Sequence, residues 1–124
     1  MAKNIIKITR GDSYEFKVAI PAKEDTTKNY ILTSSDAIYF ALLHPRQRFE
    51  DAILIKGYTV EDQNQETGDI SIKILPNDTR LLAPGVYYYT VKLQRGGTLD
   101  VIGDLDEPDE VRTVIERTKF ILND

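Results

Sequence analysis

The segment from Leu81 to Leu93 constrains the fold of this chain more than any other part of the sequence. A Pro84-Gly85 turn opens directly into a run rich in β-forming residues. Successive side chains of a strand point to opposite faces, so one face carries Tyr87, Tyr89, Val91 and Leu93. The other face carries Tyr88, Thr90, Lys92 and Gln94. An apolar face opposite a mixed face indicates a half-buried strand beside a core.

Six further segments alternate in the same way or are apolar throughout, and turn residues separate them. These predicted strands span 4–9, 13–20, 37–44, 52–60, 69–75 and 110–122. The one predicted helical segment is 76–82, directly before the tyrosine strand, with Asn77 or Asp78 as its cap. The pattern predicts an all-β fold: an immunoglobulin-like two-sheet β-sandwich of about seven strands, in one domain spanning 1–124. A closed barrel is the alternative.

Alternation also predicts which side chains form the core. We expect inward positions at Tyr14, Phe16, Val18, Ile20, Ile70, Ile72, Ile74, Phe120 and Leu122. The loop 22–33 is expected to return to the core through Tyr30-Ile31-Leu32. Leu81 or Leu82 is expected to close one end of the core. The buried tyrosine hydroxyls need partners, which the 76–82 corner would supply. The adjacent apolar pair Val114-Ile115 interrupts the alternation and predicts a bulge.

Composition excludes several classes of site. The chain has 124 residues and no cysteine, which excludes disulfides, thiol catalysis and zinc–thiolate sites. Its 16 basic and 20 acidic side chains give a net charge of −4, whereas a phosphate backbone demands a basic surface. We therefore expect no nucleic-acid partner. The sequence shows neither a bilayer-spanning apolar run nor a signal peptide, so we expect synthesis in the cytoplasm and no membrane partner.

Acidic residues crowd the segment 100–110, which contains no lysine or arginine. They are Asp100, Asp104, Asp106, Glu107, Asp109 and Glu110. A run of like charge is typical of a solvated loop. A calcium loop is the alternative, although the spacing does not match the alternating pattern of calcium ligands.

The sequence offers no nucleophile with a matching base. His44 is the one histidine, and none of Ser13, Ser34, Ser35 or Ser71 lies in a nucleophile-elbow motif. No glycine-rich phosphate loop is present. We therefore expect no enzyme activity, no catalytic residue, no resident metal and no cofactor. The tripeptide Arg10-Gly11-Asp12 spells an integrin ligand, but a tight turn between the first two strands explains it better.

Five segments, in order along the chain, resemble the N-terminal domain of phage baseplate upper proteins. Segment 8–18 (ITRGDSYEFKV) is similar to the family's RGD-x-x-x-F turn and second strand. Segments 35–42 (SDAIYFAL) and 68–74 (GDISIKI) resemble two of its strands. Segment 77–91 (NDTRLLAPGVYYYTV) resembles its corner and tyrosine strand, and 113–121 (TVIERTKFI) its closing strand. The family's late glycine falls near Arg117 or Thr118 in this sequence.

The resemblance implies a non-enzymatic virion structural protein, an adaptor of the tail or baseplate that bridges larger virion proteins in multiple copies. A capsid-surface decoration protein and a small carbohydrate-binding module are the alternatives. Longer family members continue into helices and further domains, so we expect an adaptor or decoration rather than a receptor-binding protein. The virion is the expected location.

Contacts are expected at the unpaired edge of the first or last strand. Charged side chains would protect those edges from unwanted pairing; they are Lys3, Lys7, Arg112 and Glu116. Outward tyrosines are the other candidate contacts, since exposed apolar patches mark protein interfaces. They are Tyr39, Tyr58 and Tyr88, with Leu43 beside them.

Overall fold

Seven strands and three short helical turns form the regular structure of the described residues, which in this computed structural model are 5–22, 27–95 and 110–124. The strands are β1 (Ile6–Thr9), β2 (Tyr14–Ala19), β3 (Asp36–Leu43), β4 (Leu54–Tyr58), β5 (Asp69–Ile74), β6 (Gly85–Arg95) and β7 (Glu110–Asn123). They coincide with the seven predicted strands to within one or two residues. Helix α1 (Pro76–Thr79) precedes β6, as predicted, but is shorter than the predicted segment.

Two 3-10 turns, Phe49–Asp51 and Val60–Asp62, were not predicted. A three-residue turn is too short to leave a periodic pattern in the sequence. None of the helices in the described ranges is long and apolar enough to span a membrane.

The strands form two sheets, so the predicted all-β two-sheet sandwich is confirmed. A five-stranded sheet has the order β1-β7-β6-β3-β4, and β2 pairs with β5 in a two-stranded sheet. Only the β1–β7 pair is parallel among these ladders. An unpaired edge is predicted at the first or the last strand, and the first strand has one: β1 lies at the outer edge of the five-stranded sheet of the described residues. The last strand is paired on both sides at its C-terminal end. There β7 lies between β1 and β6, with Ile6 to Thr9 in register with Phe120 to Asn123.

The inward face of β6 lies at the centre of the core. Tyr89 is 1% exposed, and its ring stacks on Phe40 of β3 at a centroid distance of 5.8 Å. Phe16 of β2 meets both rings edge-on, at 6.1 Å from Phe40 and 5.9 Å from Tyr89. Offset and edge-to-face contacts of this kind stabilise a fold beyond the apolar area that they bury. The aromatic cluster therefore joins the two sheets.

Strand β3 is buried on both faces along its whole length. Its outward side chains are covered by the segment 44–53, here called the outer turn, which folds back over the five-stranded sheet. Phe49 of this turn is buried in a second apolar cluster with Tyr39, Ala41 and Leu43. The Lys92 ammonium lies 5.1 Å from the centre of the Phe49 ring, a cation–π contact that closes the cluster on one side.

The predicted bulge at Val114-Ile115 is confirmed. The register of β6 against β7 shifts between Tyr89 and Lys92, which pair with Thr118 and Thr113. The Thr90 hydroxyl donates to the Ile115 carbonyl across the bulge at 2.7 Å. Bulges bend a strand and increase its twist, so the N-terminal half of β7 takes a different course from its C-terminal half.

Helix α1 forms the corner that leads into β6. The Asp78 carboxylate accepts a hydrogen bond from the Leu75 N–H at 2.7 Å and pairs with the Lys56 ammonium at 2.8 Å, so Asp78 caps the helix. Leu82 packs against the core, whereas Leu81 is 86% exposed. The Tyr87 hydroxyl donates to the Ala83 carbonyl at 2.5 Å, one residue beyond the predicted corner.

The side chain of Gln63 fastens the loop before β3 to the hairpin before β5. Its carbonyl oxygen accepts from the Leu32 N–H at 2.8 Å, and its amide donates to the carbonyls of Tyr30 (3.0 Å) and Gly68 (2.9 Å). Gln63 and Leu32 are both buried. The loop therefore returns to the core through Leu32, as predicted. Gly68 has φ 80°, and a Cβ there would lie 2.7 Å from the Asn29 Cβ, so the turn requires glycine.

We expect Gln63→Met to lower the free energy of unfolding by about 2 kcal/mol. Methionine matches glutamine in length but leaves three backbone groups without their partner, and the hydrogen bonds to two of them, Leu32 and Gly68, are buried. Urea denaturation measures the change. Gln65→Met is the matched control, because Gln65 is exposed and its loss should cost less than about 0.5 kcal/mol. Equal effects of the two substitutions would contradict this role for Gln63.

Burial, with a smaller contribution from Tyr14, raises the pKa of Tyr89 to about 12. The folded-state pKa lies above the unfolded value of about 10. The contribution of the Tyr89 hydroxyl to the free energy of unfolding is therefore complete below pH 10. It is lost as the pH rises from 10 to 12, with a slope of up to about 1.4 kcal/mol per pH unit. We expect Tyr89→Phe to flatten this decline in denaturant titrations between pH 9 and about 11.5. An unchanged slope would contradict the assignment.

Candidate protein-interaction groove

An open groove of about 440 Å³ runs between the two sheets, along the side of β2 that faces away from β5. It is called the β2 groove below. Its lining comes from β2, from the bulged part of β7, from the start of β1 and from the centre of β6. The lining residues are Ile5, Ile6, Tyr14, Phe16, Lys17, Val18, Ala19, Tyr89, Val114 and Ile115.

The groove exists because the two sheets differ in width. Strand β2 pairs with β5 alone among the described residues, so its other edge has no partner there. Strand β1 has four residues and reaches only the C-terminal end of β7. Within the described residues, positions 110–119 of β7 therefore pair with β6 on one side and with no strand on the other.

Apolar side chains on the inward faces of the strands consequently stay in contact with solvent. Tyr14 was predicted to lie inward; it contacts Phe16 at a ring distance of 6.0 Å but is 36% exposed. Ile5 is 41% exposed at the end of the groove. Val114 and Ile115 pack against the core and are only partly buried. Inward-facing apolar side chains that remain exposed to solvent indicate that another strand or chain segment can pack on this part of the core.

The hydrogen-bond pattern identifies which residues of β2 point their backbone N–H and C=O groups away from β5. In an antiparallel pair, opposite residues either exchange hydrogen bonds or both point away from each other. The Asp69 carbonyl accepts from the Asn64 N–H at 2.9 Å, so Asp69 points away from β2. Its register partner Ala19 therefore points away from β5. Because directions alternate along a strand, Lys17 and Glu15 do the same and present their N–H and C=O groups at the groove edge.

Charged side chains flank this edge. Glu15 and Lys17 are both exposed on the outward face of β2, and Pro21 ends the edge with a residue that has no N–H to offer. Charges and proline at an edge discourage indiscriminate pairing between sheets. An edge protected in this way favours a specific partner strand over aggregation.

The predicted contact residues of the described chain do not form one exposed surface. The expectation that Tyr39 faces solvent is wrong: it is 2% exposed, because Phe49 of the outer turn packs over it. Leu43 is buried in the same cluster, so the predicted patch around Tyr88 does not form from these residues. Tyr58 packs against the core from β4, and its hydroxyl accepts from the Lys73 N–H at 3.3 Å.

Two predicted contact residues lie on different parts of the five-stranded sheet. Tyr88 is half-buried on its outward face. Arg112 is half-buried on β7, in register with Leu93. Lys3 and the acidic segment 100–109, with its alternative of calcium binding, lie outside the described residues. The β2 groove itself was not predicted, because alternation identifies inward faces without showing how many strands cover them.

The Arg10-Gly11-Asp12 tripeptide and His44 lie in a turn and at a strand end, respectively. Arg10-Gly11-Asp12 forms the predicted turn: Gly11 has φ 85°, and the Arg10 guanidinium pairs with the Asp124 carboxylate at 2.7 Å. The Thr79 hydroxyl accepts from the Gly11 N–H at 3.0 Å. His44 is an exposed residue at the end of β3, as expected, with its ring 5.3 Å from that of Tyr87.

The described residues contain no group of three or more histidine, aspartate or glutamate side chains that could hold a metal ion. The β2 groove thus combines exposed backbone groups with apolar side chains, and its chemistry suits recognition of a polypeptide. No protein-family model matches the chain, and no curated protein matches it either.

Proposed function

We propose that this protein is a non-enzymatic adaptor of a phage tail or baseplate, which bridges larger virion proteins by accepting an extended strand from one of them. The observation that carries the proposal is the edge of β2 that has no partner among the described residues, beside inward-facing apolar side chains that are partly exposed. The incoming strand pairs with the outward N–H and C=O groups of Glu15, Lys17 and Ala19 and completes the narrow sheet.

Strand addition suits the groove for two reasons. Main-chain hydrogen bonds to a free edge supply affinity, while pockets for alternate side chains supply specificity. The β2 groove offers the main-chain groups of Glu15, Lys17 and Ala19. It also offers room for side chains, since its volume of about 440 Å³ is comparable to that of ligand sites. A partner strand of alternating apolar residues would place its inward side chains against Tyr14, Phe16 and Ile115.

The virion assignment is supported by the ordered resemblance of five segments to phage baseplate upper proteins. Those segments include the turn at Arg10-Gly11-Asp12 and the corner before β6, both of which are ordered parts of this fold. Decoration of the capsid surface is the second candidate, since it would use the same groove at a different place on the particle.

The location on the particle tests this proposal. Mass spectrometry of purified virions of the encoding phage should find the chain in stoichiometric amounts, and gold labelling should mark the tail tip or baseplate. Labelling on the head would favour decoration. Absence from purified particles would overturn the virion assignment while leaving the strand-accepting groove to be tested separately.

Hydrogen exchange tests the edge in the free protein. We expect the amides of Glu15, Lys17 and Ala19 to exchange quickly, because their N–H groups point away from β5. The amides of Phe16 and Val18 should exchange slowly, since they point into the ladder. Two-dimensional NMR after transfer to D₂O separates the two sets. Equal protection of all five amides would show that the edge is already occupied.

A proline substitution tests strand addition. We expect Lys17→Pro to reduce incorporation of the chain into virions by about tenfold or more, because it removes one outward N–H without removing a β2–β5 hydrogen bond. Lys17→Ser is the matched control: it removes the same side chain and keeps the N–H. Quantitative mass spectrometry of particles from complemented phage measures both variants. Equal incorporation of the two, with both folded by thermal melting, would contradict strand addition at this edge.

A further inference from the structure

A second surface lies on the outward face of the five-stranded sheet. Pro45, Arg46, Tyr88 and Arg117 line an open depression of about 260 Å³. Lys119 is in register with Tyr88 across the β6–β7 ladder, so it projects from the same face. These residues are called the arginine face below.

The positive charges of the arginine face lack acidic partners among the described residues. Arg46, Arg117 and Lys119 are exposed, and none of them forms a salt bridge there. The neighbouring cation Arg48, in contrast, pairs with Asp51 at 3.0 Å. Glu116 is a described carboxylate that lines an adjacent depression with Arg117, and the two form no salt bridge. Three cations without a salt bridge among the described residues distinguish this face in a chain of net charge −4.

Arg46 is held in a conformation that side chains rarely adopt. It has φ 65°, the one positive value at a non-glycine residue in the described chain. The turn from His44 to Gln47 closes with a hydrogen bond from the Gln47 N–H to the His44 carbonyl at 3.1 Å. With Pro45 at its second position, a turn with positive φ at the third position favours glycine or asparagine. An arginine there is strained, and strain of this kind clusters at functional sites.

Hydrogen bonds around the turn fix Arg46 beside Arg117. The Gln47 side chain accepts from the His44 N–H at 3.0 Å and donates to the Asp51 carbonyl. Arg117 itself donates to the Gln47 carbonyl. Arg46 and Arg117 therefore line one depression because the turn that carries Arg46 is hydrogen-bonded to β7.

We propose that the arginine face binds a carboxylate-rich segment of a partner protein. Arginine recognises carboxylates through parallel, charge-assisted hydrogen bonds, and the rings of Tyr88 and Pro45 offer an apolar floor for the stems of acidic side chains. A protein segment fits better than a nucleic acid. A phosphate backbone needs an extended basic surface, whereas here three exposed cations adjoin Glu116 on an acidic protein.

This inference goes beyond the proposed strand addition and does not depend on it. The arginine face lies on the outward side of the wide sheet, whereas the β2 groove lies between the sheets. Each surface can therefore fail its own test without affecting the other. An adaptor that bridges two proteins requires two separate surfaces, and the arginine face would be the second.

The test is an NMR titration of the full chain with a hexaglutamate peptide, and with hexaglutamine as the matched neutral peptide. We expect saturable shifts at the backbone amides of Arg46, Tyr88, Arg117 and Lys119 with hexaglutamate, weakened by salt, and none with hexaglutamine. Arg46→Gly should weaken binding about fivefold, the effect of losing one exposed ion pair of about 1 kcal/mol. It should also raise the melting temperature by about 3 °C, because glycine relieves the strain at positive φ.

The rise in melting temperature would show that lost binding does not reflect unfolding. Arg117→Gln should weaken binding by a similar factor. Lys73→Gln is the matched control, since Lys73 is an exposed cation on β5, and it should leave the affinity unchanged. Three outcomes would overturn the inference: no shifts at millimolar peptide, shifts spread evenly over basic residues across the surface, or tighter binding of a thymidine oligonucleotide at the same amides.

Discussion

The contact of Tyr89 with Phe40 and Phe16 is the interaction on which the rest of this structure depends. It joins the centre of the five-stranded sheet to β2, one of only two strands in the opposing sheet of the described chain. Because the narrow sheet is anchored at this point, β5 lies towards β4, where the Tyr58 hydroxyl accepts from Lys73. The opposite side of β2 is left without a neighbouring strand in the described residues, and the β2 groove follows from that imbalance.

The same imbalance is what the proposed binding role rests on. A closed core would hide its apolar side chains and pair its edges. Here, Tyr14 and Ile5 lie at the margin of the core, partly exposed, beside outward backbone groups of β2. Completing the narrow sheet with a partner strand would cover these apolar side chains and satisfy the backbone groups at once. The uncovered side of β2 in the described residues is thus the basis of the proposed function.

The outer turn has two consequences for the outward face of the wide sheet. It buries Tyr39 beneath Phe49 and so removes a predicted contact residue from the surface. It also carries Arg46, whose strained backbone places a cation beside Arg117 and Tyr88. Alternation alone would predict that this face of the sheet is exposed to solvent. Instead, part of it is covered by the second apolar cluster, and part of it forms the charged depression.

The sequence by itself determined the strands, the corner before β6 and the turn at Gly11, because alternation, proline and glycine act over a few neighbouring residues. It also located the β7 bulge, since Val114-Ile115 breaks the alternation. The tertiary structure alone decided which strands share a sheet, that Tyr39 is buried and that β2 pairs on one side only within the described residues. Alternation shows which way a side chain points, but what covers that side chain depends on segments distant in the chain, such as the outer turn over β3. For that reason the core was largely predictable, whereas both candidate binding surfaces were not.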